Sequence, residues 1–190
     1  MTKRALVTGS VERAQAVADL FRQAGVASTA VSELDELVDV PRPCDYYVQL
    51  PVTVSTKGHS VVQRLHSFLI DGLLSRFAAV ERVLPMLAPG ATVLLVAGNS
   101  PAELSAPDDR LARLALLRVL AHATRADLAP DRARVRIVSA ARTDREVVDY
   151  ALSGSKDPDA ELSHPVDTPE SGRAYEDWRS GVMGLVGIQS

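Results

Sequence analysis

The sequence predicts an α/β fold: a doubly wound, mostly parallel sheet of about five strands with helices on both faces. Three observations predict it. Short apolar runs alternate along the chain with longer segments of helical periodicity, the pattern of repeated βαβ units. The run ATVLLVAG (residues 91–98) is continuously apolar, as a strand covered by helices on both faces must be. The apolar bulk is Ala, Val and Leu: the chain of 190 residues is 46% hydrophobic but only 4% aromatic. That length suits one domain with a sizeable core. Residues 1–154 are expected to form it, with 155–190 an irregular loop and tail packing on or extending the same domain.

Taken in order, residues 4–8 (RALVT) read as a buried first strand, and Gly9–Ser10 as the turn that leaves it. Residues 12–24 read as a helix with Ala16, Val17, Leu20 and Phe21 on one face, ended by Gly25 as a C-cap. VASTAV (26–31) is the second strand. SELDELVDV is a short acidic helix, with Ser32 as its N-cap and Asp35 near the capping-box position. The break PRP (41–43) precedes a third strand, CDYYVQLPV (44–52). A polar loop, 53–60, leads to a long helical segment, 60–88, that Pro89–Gly90 stops. Residues 91–98 are the fourth strand and 99–109 a loop. A strongly periodic helix runs over 110–128, a fifth strand over 133–141, and a helix over 143–154 with Thr143 or Asp144 as N-cap. Residues 155–172 are rich in Pro, Ser and acid and read as a long loop or a disordered segment.

The balance of charges excludes some partners. A net charge of −3 and a pI near 5.8 give no reason to expect nucleic acid. The single cysteine, Cys44, cannot form an intrachain disulfide. His59, His66, His122 and His164 are scattered and make no zinc pattern with it, so no metal site is expected. MTKRALVTGS has no signal-peptide-like apolar region. The segment nearest in length to a membrane span, FLIDGLLSRFAAVERVLPML, is interrupted by Asp71, Arg76, Glu81 and Arg82. No membrane association and a cytoplasmic location are the expectations.

In a parallel sheet, ligands bind beyond the carboxyl ends of the strands. Here those ends carry Gly9–Ser10, Ser32, Gln49–Pro51, Gly98–Ser100 and Ala140–Arg142. The surrounding pattern resembles the short-chain dehydrogenase/reductase family over most of residues 3–145. ALVTGS is similar to the family's first strand and glycine turn, and CDYYVQLP to the strand that usually ends in Asn-Asn-Ala-Gly. FLIDGLLSRFAAVERVLPMLAPGATVLLVAG is similar to the long helix and the strand that leads to the catalytic serine. LALLRVLAHATRADLAPDRARVRIVSA is similar to the catalytic helix and the strand after it. The resemblance implies a Rossmann-like, NAD(P)-binding fold, shortened here: between the second strand and CDYYVQL there is no room for the outer strand and helix of a full member.

The departures are chemical. The family's turn reads Thr-Gly-x-x-x-Gly-x-Gly, whereas this chain has Thr8-Gly9-Ser10-Val11-Glu12-Arg13-Ala14-Gln15 and keeps only the first glycine. The lost glycines would let the backbone approach a pyrophosphate. If a dinucleotide site is retained, the resemblance places it on Gly9, Ser10, Arg13 and Ser32. Arg13 offers a guanidinium to a phosphate or stands solvated in the first helical turn. The family's Tyr-x-x-x-Lys pair is absent, because Leu50, Pro51, Gly154 and Arg179 follow Tyr46, Tyr47, Tyr150 and Tyr175 at that spacing. A tyrosine without a neighbouring cation is a poor base at neutral pH. The family's Tyr position falls near Asp109–Leu111, its Lys position near Arg113–Ala115, its Ser near Gly98, and its helix Asn on Asp71. A replacement set of Ser100, Asp109 and Arg113 is read instead as an i,i+4 surface pair, Asp109 with Arg113, beside an unrelated serine.

No catalytic residue is therefore expected, and no cofactor. The helices 60–88 and 110–128 match the family's dimer interface. Leu69, Gly72, Leu73, Arg76, Phe77, Val80 and Leu84 lie on one stripe of the first. Leu116, Val119, Leu120 and Ala123 lie on one stripe of the second, while Leu114 and Leu117 point elsewhere. A catalytically inactive structural or regulatory subunit follows, acting through homodimerisation or by pairing with an active reductase. The alternatives are a divergent NAD(P)-dependent oxidoreductase of the ketone/alcohol or ketoacyl reductase type, and a small-ligand or dinucleotide sensor.

Overall fold

In a computed structural model the described residues are 2–52, 57–98, 107–128, 133–138 and 142–153. They form strands β1 (Arg4–Thr8), β2 (Ala27–Val31), β3 (Cys44–Gln49), β4 (Leu87–Val96) and β5 (Ala133–Val138). The helices are α1 (Val11–Gln23), α2 (Val61–Ser67), α3 (Ser75–Val83), α4 (Pro107–Asp127) and α5 (Asp144–Ser153). The five strands make one sheet in the order β2-β1-β3-β4-β5, with every neighbouring pair parallel. This is the doubly wound Rossmann-like α/β architecture that the sequence predicts.

Alternation along the strands builds two cores. Ala5, Val7, Tyr46, Val48, Leu94 and Val96 face α1 and α5, whose Val17, Phe21, Val147 and Val148 complete that layer. Leu6, Tyr47, Val93, Leu95, Val135 and Ile137 face the opposite layer, where Val80 and Val83 of α3 and Leu117 and Leu120 of α4 cover them. Residues Val93 to Val96 are wholly buried, which explains their unbroken apolar run.

The chain leaves α1 through a Schellman motif. The Val26 amide donates to Phe21 O at 3.0 Å and the Gly25 amide to Arg22 O at 3.0 Å. Gly25 takes φ +80°, one residue past Ala24, which is the C-cap itself. At α5, Thr143 is the cap. Its Oγ1 accepts the Glu146 amide at 3.3 Å, and the Glu146 carboxylate accepts the Thr143 amide at 2.7 Å. That amide, with the Thr143 hydroxyl, holds the Glu146 carboxyl below its usual range.

Three local expectations are corrected. After β2 the acidic segment is a 3₁₀-helix, Leu34–Asp39, capped by Glu33 and not Ser32. Glu33 and Glu36 close its capping box, a role that Asp35 was expected to approach. Pro89–Gly90 does not end the long helical segment. A 3₁₀-turn over Leu84–Met86 ends it, and β4 starts at Leu87, with Pro89 and Gly90 (φ +79°) inside a register shift against β3. The long segment is also not one α-helix. Phe68–Leu74 is π-helical, and it separates α2 from α3. The loop 155–172 and the tail lie outside the described residues.

A Cβ on Gly25 would meet nothing within 4 Å, so substitution there strains only the backbone. Gly25→Ala is expected to lower stability in urea unfolding by about 1–2 kcal/mol, and Gly25→Asn by less, since Asn tolerates the left-handed region.

Candidate functional site

The chain runs from β1 outward to β2 and then back to β3 on the other side of β1. The carboxyl ends of β1 and β3 therefore flank the topological switch point, where parallel sheets bind ligands. The path out of β3 is tight. A Cβ on Gly9 (φ +155°) would lie 2.7 Å from Leu50 Cβ, and one on Gly98 would lie 2.9 Å from Pro51 Cβ. Leu50 and Pro51 thus pass between glycines that follow β1 and β4. The retained Gly9 has this packing role in the fold itself.

Beneath that exit a buried polar chain crosses three strands. Thr8, Gln49 and Leu95 share one row of the sheet register, and Tyr47 and Gln49 point to the same face. Arg76, on α3 and 5% exposed, reaches this row. Its Nε donates to Gln49 Oε1 at 2.8 Å, and its Nη2 to Gln49 O at 3.3 Å and Val96 O at 2.7 Å. Guanidinium nitrogens only donate, which fixes the Gln49 amide with oxygen toward Arg76. The amide nitrogen then donates to Tyr47 Oη at 3.2 Å and to Arg76 O at 3.0 Å. Tyr47 Oη stands 3.0 Å from Thr8 Oγ1.

Burial dominates the acid–base behaviour of this chain. It pushes the Arg76 guanidinium down to about 10. It pushes the fully buried Tyr47 phenol up, against smaller opposing effects of Thr8, Gln49 and Arg76. Tyr47 stays a neutral hydrogen-bond group at neutral pH and Arg76 stays charged. Neither is poised as a general acid or base there.

The residues singled out from the sequence are dispersed around this chain. Ser10 is the N-cap of α1, but its side chain makes no capping hydrogen bond. Arg13 is partly exposed and not free in solvent: its Nε pairs with Asp144 Oδ1 at 2.8 Å and ties α1 to the start of α5. Ser32 follows β2, and both its amide, at 2.9 Å, and its hydroxyl, at 3.5 Å, donate to Glu36 Oε2. Asp71 lies in the π-helical segment, where its Oδ2 accepts from Ser67 Oγ at 3.0 Å. Asp109, Leu111 and Arg113 fall in the first turns of α4, their side chains outside the described residues. Ser100, Ala140 and His164 also lie outside them. Among the described residues, no group of three His, Cys, Asp or Glu side chains could hold a metal ion.

NAD(P), the cofactor that the resemblance implies, would set its pyrophosphate on the first turn of α1. That turn carries Glu12, a carboxylate already placed against the positive end of the helix. After β2, the amides of Ser32 and Glu33 both donate to Glu36, and these bonds hold its carboxyl below the usual range. After β2, an internal carboxylate thus takes two main-chain donors. Of the three glycines in the family's turn, this chain keeps Gly9 alone.

The Gln49–Arg76 pair was not among the sequence candidates. Its signal was legible: a cation on the otherwise apolar stripe Leu69–Leu84, and a lone amide in YYVQLP. Arg76→Met would leave three buried acceptors without a donor, and is expected to cost about 3 kcal/mol in denaturant unfolding. Tyr47 gives a pH test. Its folded pKa lies above the unfolded value of about 10, so the stability it contributes is complete below pH 10 and is lost as the pH rises through the folded pKa. The stability of the parent chain relative to Tyr47→Phe should fall above about pH 10, by up to about 1.4 kcal/mol per pH unit. A pH-independent difference would contradict this.

No protein-family model matches the chain, and no curated protein does. Solved structures do match it, and BdcA (YjgI) from E. coli is among them. That similarity is 15% in sequence identity with a TM-score of 0.48, and it covers 85% of this chain and 93% of the other. The family resemblance read from the sequence remains a resemblance.

Proposed function

We propose that the chain is a catalytically inactive, short-chain dehydrogenase/reductase-like subunit with a structural or regulatory role. It acts through homodimerisation or by pairing with an active reductase. One observation carries the reading: the groups that would face a dinucleotide are engaged within the chain. Gly9 abuts Leu50, Arg13 pairs with Asp144, and Ser32 donates to Glu36.

The helices bear on the partner. On the segment 61–83, Val61, Val62, Ile70 and Leu74 are exposed apolar side chains at 58%, 76%, 45% and 45%. Ile70 and Leu74 stand four residues apart and form the centre of the proposed contact. The apolar stripe of α4 contributes less than its sequence suggests, because Leu116 packs within the chain against Phe68 and Leu73. The contact is therefore centred on the π-helical segment and its neighbours, with α4 behind it.

Titration with NADH and NADPH, followed through Trp178 and nicotinamide fluorescence, is expected to give no saturable binding up to millimolar concentrations. Micromolar binding would favour the divergent oxidoreductase or the dinucleotide sensor. In light scattering the chain is expected to have the mass of a dimer, and Ile70→Glu with Leu74→Glu that of a monomer. A monomeric parent chain would remove homodimerisation and leave pairing with an active reductase.

A further inference from the structure

We infer that the chain binds a small carboxylate at the carboxyl edge of β3 and β4, with the guanidinium of Arg76 as its receptor. Arg76 is a buried cation whose described partners are all neutral: one amide oxygen and two main-chain carbonyls. Among the described residues, no carboxylate lies within ion-pair distance of it. A buried charge without a counter-charge is costly, and native chains compensate it by pairing. The charge is not relieved by losing its proton, because a pKa of about 10 keeps the group charged at neutral pH.

The geometry leaves donor capacity for an anion. Nε and Nη2 hold the acceptors, while the two hydrogens of Nη1 donate to no described residue. The guanidinium stands between the last carbonyl of β3 and the last carbonyl of β4, one strand from the switch point. Gly9 and Gly98, which follow β1 and β4, bring no side chains to that edge. A monoanion matches the single positive charge of Arg76, whereas a phosphate dianion would exceed it. Gln49 orients Arg76 for this role and Tyr47 and Thr8 hold Gln49, so these three are positioning residues. This inference does not depend on the inactive-subunit reading, which concerns a dinucleotide on β1 and β2.

The test is a titration of the isotope-labelled full chain with sodium acetate, followed by amide and arginine side-chain NMR. Sodium chloride and sodium phosphate at matched ionic strength and neutral pH are the controls. Saturable acetate shifts in the millimolar range are expected at the Arg76 guanidinium, Gln49, Leu50, Ala97 and Gly98, and not with chloride. Arg76→Lys should weaken binding several-fold, and Arg76→Gln should abolish it. The assignment is overturned if acetate acts no differently from chloride, if the shifts map elsewhere, or if phosphate binds more tightly than acetate. It is also overturned if Arg76→Lys binds as the parent does, so the decision stands even where Arg76→Gln fails to fold.

Discussion

The carboxyl edge of the sheet is organised by one buried guanidinium. Arg76 takes the last carbonyls of β3 and β4 and the side chain of Gln49, and Gln49 passes the constraint to Tyr47 and Thr8 at the end of β1. Parallel strands have no turn to fix their ends, because each leaves directly into a long connection. At the ends of β3 and β4 a side chain from α3 does that work. The cost is a desolvated charge, and the neutral acceptors offset it only through hydrogen bonds that have little geometric freedom.

The long helical segment that carries Arg76 is irregular just before it. Through the π-helical turns between α2 and α3 the buried side continues without a break, Phe68, Gly72 and Leu73 being followed by Arg76, Ala79, Val80 and Val83. The Ser75 hydroxyl donates to the carbonyls of Asp71 and Gly72, at 2.8 and 3.2 Å, where the π-helical pattern gives way to α. Widened turns release carbonyls from ordinary helical bonding, and side chains or a functional constraint must compensate. A polar clamp just past such a segment links local helix geometry to the sheet edge.

Much of this was legible in the sequence where a single physical cause dominates. The strands could be read because burial on both faces demands unbroken apolar runs, as in Val93–Val96. Gly25 could be read because a left-handed residue must follow the helix. The reading failed where two causes compete. Ser32 looks like a cap by residue type, yet Glu36 captures its amide and hydroxyl, and the helix starts one residue later. Pro89–Gly90 looks like a helix stop, but parallel pairing with β3 begins at Leu87 and absorbs both residues in a register shift. The π-helical segment has no periodic signature that separates it from an α-helix over so few residues.

The candidate site divides along the same line. That the glycine turn departs from the family's pattern could be read residue by residue, because each missing glycine removes a named backbone approach. What stands in its place could not, since it depends on contacts across the chain: Arg13 meets Asp144 over a separation of 131 residues, and Arg76 meets Gln49 over 27. The retained Gly9 makes the point most sharply. As a motif residue it suggests a surviving cofactor turn, but the 2.7 Å approach of Leu50 requires glycine there whether or not a dinucleotide binds. A motif glycine therefore counts as evidence for a ligand only after the packing around it has been accounted for. By the same measure Arg76, which no motif marks, has the stronger claim, because its partners among the described residues are all neutral.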